Sequence, residues 1–229
     1  SDAGVQAERI LNRMLERHSQ GFGQVEPDVV SYNTVINAWS KTGGLVAVQR
    51  AEAILDKTEK SGNNRIHPNN KTYSAVIDAW ARSGASDAGV QAERILNRML
   101  ERHSQGFKEV QPNVVSYNVV INAWSKTGGL EAAQRTEAIL GKMEKSGNER
   151  IRPDTKTYNN VIDAWARSGA SDTGVRAERI LNRMLERHSQ GFGEVDADVV
   201  SYNTAINAWS KTGLEASQDT GENLSVMQC

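Results

Sequence analysis

The chain has 229 residues, 38% of them apolar, which is low for one compact sphere and suits an elongated protein whose elements each bury a single face. Its 27 Lys and Arg nearly balance 28 Asp and Glu. This excludes a generic basic nucleic-acid coat, because nonspecific affinity comes from neutralised phosphates, but it leaves room for a local basic stripe. The one cysteine is Cys229, so no internal disulfide or cysteine metal site can form, and no apolar run approaches the ~18 residues of a membrane span.

The chain opens at Ser1-Asp2-Ala3-Gly4, inside a repeat, with no initiator Met and no visible signal or transit peptide. It therefore reads as a piece of a longer chain. SDAGVQAERILNRMLERHSQGF starts at Ser1 and again at Ser86, and a near copy starts at Ser171, a period of 85 residues. Residues 1–85 and 86–170 differ at 16 positions, as a recent duplication would leave. Each block holds two shorter units marked by a tyrosine and a tryptophan seven residues apart: Tyr32/Trp39, Tyr73/Trp80, Tyr117/Trp124, Tyr158/Trp165 and Tyr202/Trp209.

In chain order, residues 1–28 hold an orphan second helix. Four complete units follow at 29–69, 70–113, 114–154 and 155–198, and a partial, degenerate one at 199–229. The first helix of each unit is set by spacings such as Tyr32, Val35, Ile36 and Trp39, one face at i, i+3, i+4 and i+7. Ser31, Thr72, Ser116, Thr157 and Ser201 precede the tyrosines and suit N-caps. Gly43-Gly44 or Ser83-Gly84 ends this helix. The second helix carries a stripe such as Ile95, Leu96, Met99 and Leu100 and ends near Ser61-Gly62 or Gln105-Gly106. A polar loop follows with Pro27, Pro68, Pro112 or Pro153, and with Ala197 in the last case. After Gly213 one glycine is missing, and Asp219, Gly221 and Asn223 interrupt the second helix, which predicts a frayed end or a degenerate cap. No period-2 strand pattern occurs. A lone hairpin cannot bury its stripe, so the pattern predicts an all-α solenoid, a superhelix of tandem antiparallel helix-turn-helix repeats.

The strings PDVVSYNTVINAWSKTGG, QPNVVSYNVVINAWSKTGG and RPDTKTYNNVIDAWARSG resemble the start of a pentatricopeptide repeat. The W-x-x-L-G-x-x-Y pattern of tetratricopeptide repeats is absent. The resemblance recurs five times and covers nearly the whole chain. The units exceed the family's usual length by several residues, in the second helix and the loop before proline, which bears on pitch and base spacing. The resemblance implies single-stranded RNA recognition at one base per repeat. It assigns base reading to the residue after the tyrosine and to the last residue of the repeat. These are Asn33 with Asn69, Ser74 with Asn113, Asn118 with Asp154, and Asn159 with Asp198, while Asp28 closes a missing repeat and Asn203 opens an incomplete one. The family's pairing rule gives cytosine (less strictly uridine), adenine, uridine and uridine, a core of 5′-C(U)-A-U-U-3′. The resemblance also implies work on organellar transcripts, in mitochondria or chloroplasts.

Helical geometry adds a ladder. With Val29 as position one, the second, fifth, ninth, twelfth and thirteenth positions share a face. The thirteenth is Lys41, Arg82, Lys126, Arg167 and Lys211, one cation per unit, suited to phosphates. The second is Val30, Val115 and Val200 in odd units, where the family wedges an aliphatic residue between bases, but Lys71 and Lys156 in even units. Three of the four reading positions of the first block change in the second: Asp28/Asn113, Asn69/Asp154 and Ser74/Asn159.

Other motifs carry blander readings. The tyrosines and tryptophans lie on the apolar stripe and are expected in the core. The charges of ERILNRMLER stand at i, i+4 and read as a solvated helix face. His18, His103 and His188 recur once per block, too far apart in sequence for a shared metal site, and Asp78 and Asp163 are lone groove carboxylates that tune charge. Asn70-Lys71-Thr72 and Asn223-Leu224-Ser225 match the glycosylation sequon by chance. No phosphate-cradling loop, nucleophile elbow or zinc-ligand spacing is present. The sequence therefore suggests a binding protein, with no cofactor and no metal. Two alternatives stay open: a tetratricopeptide-type scaffold holding a protein partner in the same groove, and an RNA-processing enzyme whose catalytic domain lies outside this fragment.

Overall fold

A computed structural model describes residues 3–222, with side chains through residue 212. The described residues form ten α-helices and no strand: α1 (Ala3–Ser19), α2 (Val29–Thr42), α3 (Leu45–Glu59), α4 (Asn70–Arg82), α5 (Ala88–Ser104), α6 (Val114–Thr127), α7 (Gly129–Lys145), α8 (Thr155–Ala166), α9 (Thr173–Ser189) and α10 (Val199–Glu222). The chain divides into two compact units, Ser1–Ala123 and Trp124–Cys229, with the division falling inside α6.

Each unit is a stack of helix hairpins, the α-solenoid architecture. In the first, α2 packs on α1, α3 and α4, and α4 packs on α3 and α5. In the second, α8 packs on α7, α9 and α10, and α9 packs on α10. The expected stripes are the core. Tyr32, Val35, Ile36 and Trp39 are buried, as are Tyr73, Val76, Ile77 and Trp80, and Tyr158, Val161, Ile162 and Trp165. Ile95, Leu96 and Met99 are buried too, whereas Leu100 sits at the stripe's edge, exposed. Tyr202, Ile206 and Trp209 of α10 stay exposed.

Buried tryptophans need a partner for the indole N–H, and Trp39, Trp80 and Trp165 find a glutamate on the preceding second helix. Trp39 donates to Glu8 at 3.0 Å, Trp80 to Glu52 at 3.1 Å and Trp165 to Glu137 at 3.0 Å. The Tyr73 and Tyr158 hydroxyls donate to Glu59 and Glu144 at 2.6 and 2.8 Å. Burial first, and then the facing carboxylate, pushes both phenols well above the usual tyrosine range.

In α1 the charges Arg9, Arg13, Glu16 and Arg17 of ERILNRMLER are exposed, as their spacing suggested. In α5 and α9 the arginines instead bridge successive second helices. Arg98 of α5 reaches Asp56 and Glu59 of α3, both at 2.6 Å, and Arg94 reaches Glu52 at 2.6 Å. In the second unit, Arg179 of α9 reaches Glu137 of α7 at 2.7 Å, and Arg183 pairs with Glu144. The partners lie some forty residues away in sequence, so i, i+4 spacing within one helix cannot reveal them.

The helix starts also differ from expectation. Ser31, Thr72, Thr157 and Ser201 are not N-caps but stand three residues further in. The caps are Asp28, Asn69, Asp154 and Asp198, whose side chains accept from the backbone N–H of Ser31, Thr72, Thr157 and Ser201 at 2.9, 3.2, 2.8 and 2.9 Å. Asn113 accepts from Ser116 N–H at 3.1 Å in the same way. At Asn69 and Asp154 the threonine hydroxyl accepts from the cap's own N–H in return, closing a capping box.

Odd units reverse direction at a glycine pair. Gly43 and Gly44 have φ of 72° and 80°, and Gly128 and Gly129 have 73° and 82°, a region costly to any residue with a Cβ. The last unit offers only Gly213 before Leu214, and there α10 continues unbroken to Glu222 instead of turning into a second helix. Asp219 and Gly221 thus lie in α10, while Asn223 lies outside the described residues.

Candidate functional site

The last residue of each repeat, expected to read a base, is also the N-cap of the next repeat's first helix. Capping occupies one side-chain oxygen. For Asp28 and Asp198 it is Oδ1, which takes both the backbone N–H and the hydroxyl of the serine three residues on. The backbone N–H bond from that serine is the main reason both carboxyls sit below the usual aspartate range.

The residue after the tyrosine lies one turn into the same helix, and within a repeat it meets the following cap. Asn33 Nδ2 donates to Asn69 Oδ1 at 3.3 Å, and Asn159 Nδ2 donates to Asp198 Oδ1 at 3.3 Å. Ser74 and Asn113 are half-buried on α4 and before α6, with no hydrogen bond between them among the described residues. Asn118 is buried on α6, and Asn203 is exposed on α10. The amide oxygens of Asn33 and Asn159 are buried and have no partner, a costly arrangement in an empty protein. Asn33 faces a cleft of about 440 Å³ lined also by Val30, Asn37, Asn69, Lys71 and Glu109. Asn33 and the amide of Asn69 thus lie side by side in this cleft, with Val30 and Lys71 at its flanks.

The other expected residues are all accessible. Val30, Val115 and Val200 are exposed apolar side chains, and Lys71 and Lys156 are exposed at the same register. The thirteenth-position cations Lys41, Arg82, Lys126, Arg167 and Lys211 are exposed as well. They are not equivalent. Arg82 pairs with Asp78 at 2.7 Å and Arg167 with Asp163 at 2.8 Å, one helical turn earlier. Lys211 Nζ donates to the Ala166 carbonyl at 2.9 Å.

The spacing rules missed the serines that hold those aspartates. Ser40 Oγ donates to Asp78 Oδ2 at 2.8 Å and Ser125 Oγ to Asp163 Oδ2 at 2.6 Å, each from the preceding repeat. The signal was present in the twelfth position, which is Ser in odd units and Ala in even ones. Glu109, in the loop before α6, was also missed as a cleft residue. Among the described residues no group of three His, Cys, Asp or Glu could hold a metal ion, and no helix is long and apolar enough to cross a membrane. His188 Nδ1 instead sits 2.8 Å from the Val195 carbonyl.

No curated protein matches the chain. Among solved structures, it resembles the crystal structure of the pentatricopeptide repeat protein PPR10 from maize. There the TM-score is 0.58 and the identity 26%, over 96% of this chain and 28% of that one. A cysteine-to-serine form of PPR10 in complex with an 18-nt PSAJ RNA element matches with a TM-score of 0.43 and 24% identity, over 99% of this chain and 33% of that one. The chain therefore spans about 28% of the length of the first of these structures. The sequence pattern of the pentatricopeptide repeat domain matches residues 18–83 and 106–168, more than half of the chain. With its stacked hairpins, glycine turns and recurrent tyrosine and tryptophan stripe, the chain belongs to the pentatricopeptide repeat family.

Proposed function

We propose that this chain binds single-stranded RNA through its repeat clefts, one base per repeat, with a core of 5′-C(U)-A-U-U-3′. The observation that carries the reading is the buried, unpartnered amide oxygen at Asn33 and Asn159. A buried acceptor without a donor is stabilised when a ligand brings one, and the Watson–Crick edges of cytosine and uridine each carry an N–H. The paired cap residue, held by the helix it caps, supplies the second reading group. In the intervening repeats the proposed readers are Ser74 with Asn113 and Asn118 with Asp154. Val30, Val115 and Val200 pack against bases, and the stems of Lys71 and Lys156 do so in even units. The proposed role is recognition of transcripts in mitochondria or chloroplasts, with any catalysis supplied by another domain or protein.

The test is equilibrium binding to a CAUU-containing oligonucleotide, to a scrambled one and to the DNA equivalent. The expected result is RNA binding that favours CAUU by at least tenfold and weakens with salt. Equal binding to all three would reject base reading. The acidic groups bordering the groove, Asp78 and Glu109, suit a basic peptide, and capture of such a peptide with no RNA binding would favour the scaffold reading.

A further inference from the structure

The cation ladder is regular in sequence but alternates in charge once the side chains are placed. In even repeats, one oxygen of Asp78 takes both the Arg82 guanidinium and the Ser40 hydroxyl, at 2.7 and 2.8 Å. Asp163 does the same with Arg167 and Ser125 at 2.8 and 2.6 Å. Ser40 and Ser125 are themselves buried, so each carboxylate is held at the groove even if the exposed arginine swings away. Odd repeats carry Asn37, Asn122 and Asn207 at this position, and Asn37 lines the Asn33 cleft. Among the described residues Lys41 and Lys126 make no ion pair, and Lys211 touches only an uncharged carbonyl.

We infer that Asp78 and Asp163 are built-in counterions, so that the thirteenth-position ladder offers an RNA phosphate an unmatched cation only at Lys41, Lys126 and Lys211, while Lys71 and Lys156 remain exposed cations of the even repeats. The inference rests on the RNA reading above and refines it. The ladder's attraction for the backbone falls from five cations to three, which leaves a larger share of affinity to the base readers and raises discrimination between sequences. Counterion release counts net neutralised phosphates, so a cation already matched by a fixed carboxylate adds little to the salt dependence.

The chain itself supplies the substitutions. Asp78→Asn with Asp163→Asn gives even repeats the odd residue, and Asn37→Asp with Asn122→Asp does the reverse. Affinity for the CAUU oligonucleotide is measured from about 50 to 200 mM salt. At about −0.7 per phosphate on a single strand, the first pair should steepen the log–log slope of the unmodified protein by about 1.4, and the second should flatten it by about 1.4. The first pair should also bind a scrambled oligonucleotide more tightly, narrowing the CAUU preference. Slopes that stay within half a unit of one another, with the CAUU preference intact, would overturn the counterion role while leaving base reading standing. Loss of all RNA binding by the unmodified protein would remove both. Matching far-UV spectra and melting curves show that the variants fold, and the two opposite swaps guard against either one failing alone.

Discussion

At the residue scale, the cap and the proposed reader are one side chain. Asp28, Asn69, Asn113, Asp154 and Asp198 each use an oxygen to cap a helix, and capping favours Asp, Asn, Ser and Thr. Any reading alphabet at this position is therefore confined to residues that keep the fold. The duplicated block obeys this limit, with Asp28/Asn113 and Asn69/Asp154 exchanging one good cap for another. Asn113→Asp should thus leave stability within about 0.5 kcal/mol, while Asn113→Ala should cost about 1 kcal/mol. Urea unfolding of both variants checks this, and equal losses would contradict it. The aspartate caps add a pH dependence. Their carboxyls sit below the ordinary aspartate range because the capped N–H favours the charged form. Their stabilising contribution is therefore present above the unfolded-chain value and lost as pH falls through the lower, folded one. Melting temperatures at pH 7 and pH 3 should show a smaller acid loss for Asp28→Asn than for the unmodified chain. A loss equal to or larger than the unmodified chain's would contradict a capping role for the charge.

At the scale of elements, the sequence carried the helices and their buried faces, because 3.6-residue periodicity is a local property. It misplaced the caps by three residues. A serine or threonine just before a buried tyrosine resembles a cap, yet at Thr72 and Thr157 it is the inner half of a capping box. It also misread the second-helix charges, whose partners sit on a neighbouring hairpin. Arg98 joins Glu52, Asp56 and Glu59 across α3 and α5, and Glu59 in turn holds the Tyr73 hydroxyl. Arg98→Leu would leave three half-buried carboxylates facing one another. It should destabilise the protein by about 1–3 kcal/mol in urea unfolding. A change under about 0.3 kcal/mol would show that the cluster is ornamental.

At the scale of the whole molecule, the near-zero net charge is the sum of specific pairings and not an absence of charge. Arg94, Arg98 and Arg179 on the second helices are matched by glutamates and Asp56 one hairpin away, and Arg82 and Arg167 by Asp78 and Asp163. Composition could exclude a basic coat but could not show which cations remain unmatched, since that depends on side chains brought together by stacking. The candidate readers were legible only through the family's pattern. In two of them, Asn33 and Asn159, the amide oxygen is buried without a hydrogen-bond partner in the protein. Because repeats share one scaffold, changing both readers of one repeat should change one base and nothing else. The most direct measurement is therefore the affinity of the Ser74→Asn, Asn113→Asp double variant for CAUU and CUUU oligonucleotides beside that of the unmodified protein. Base reading by these repeats requires the preference to move from CAUU to CUUU by about 1–3 kcal/mol, roughly fivefold or more. A variant that folds and binds RNA but keeps its preference for adenine at the second base would contradict it.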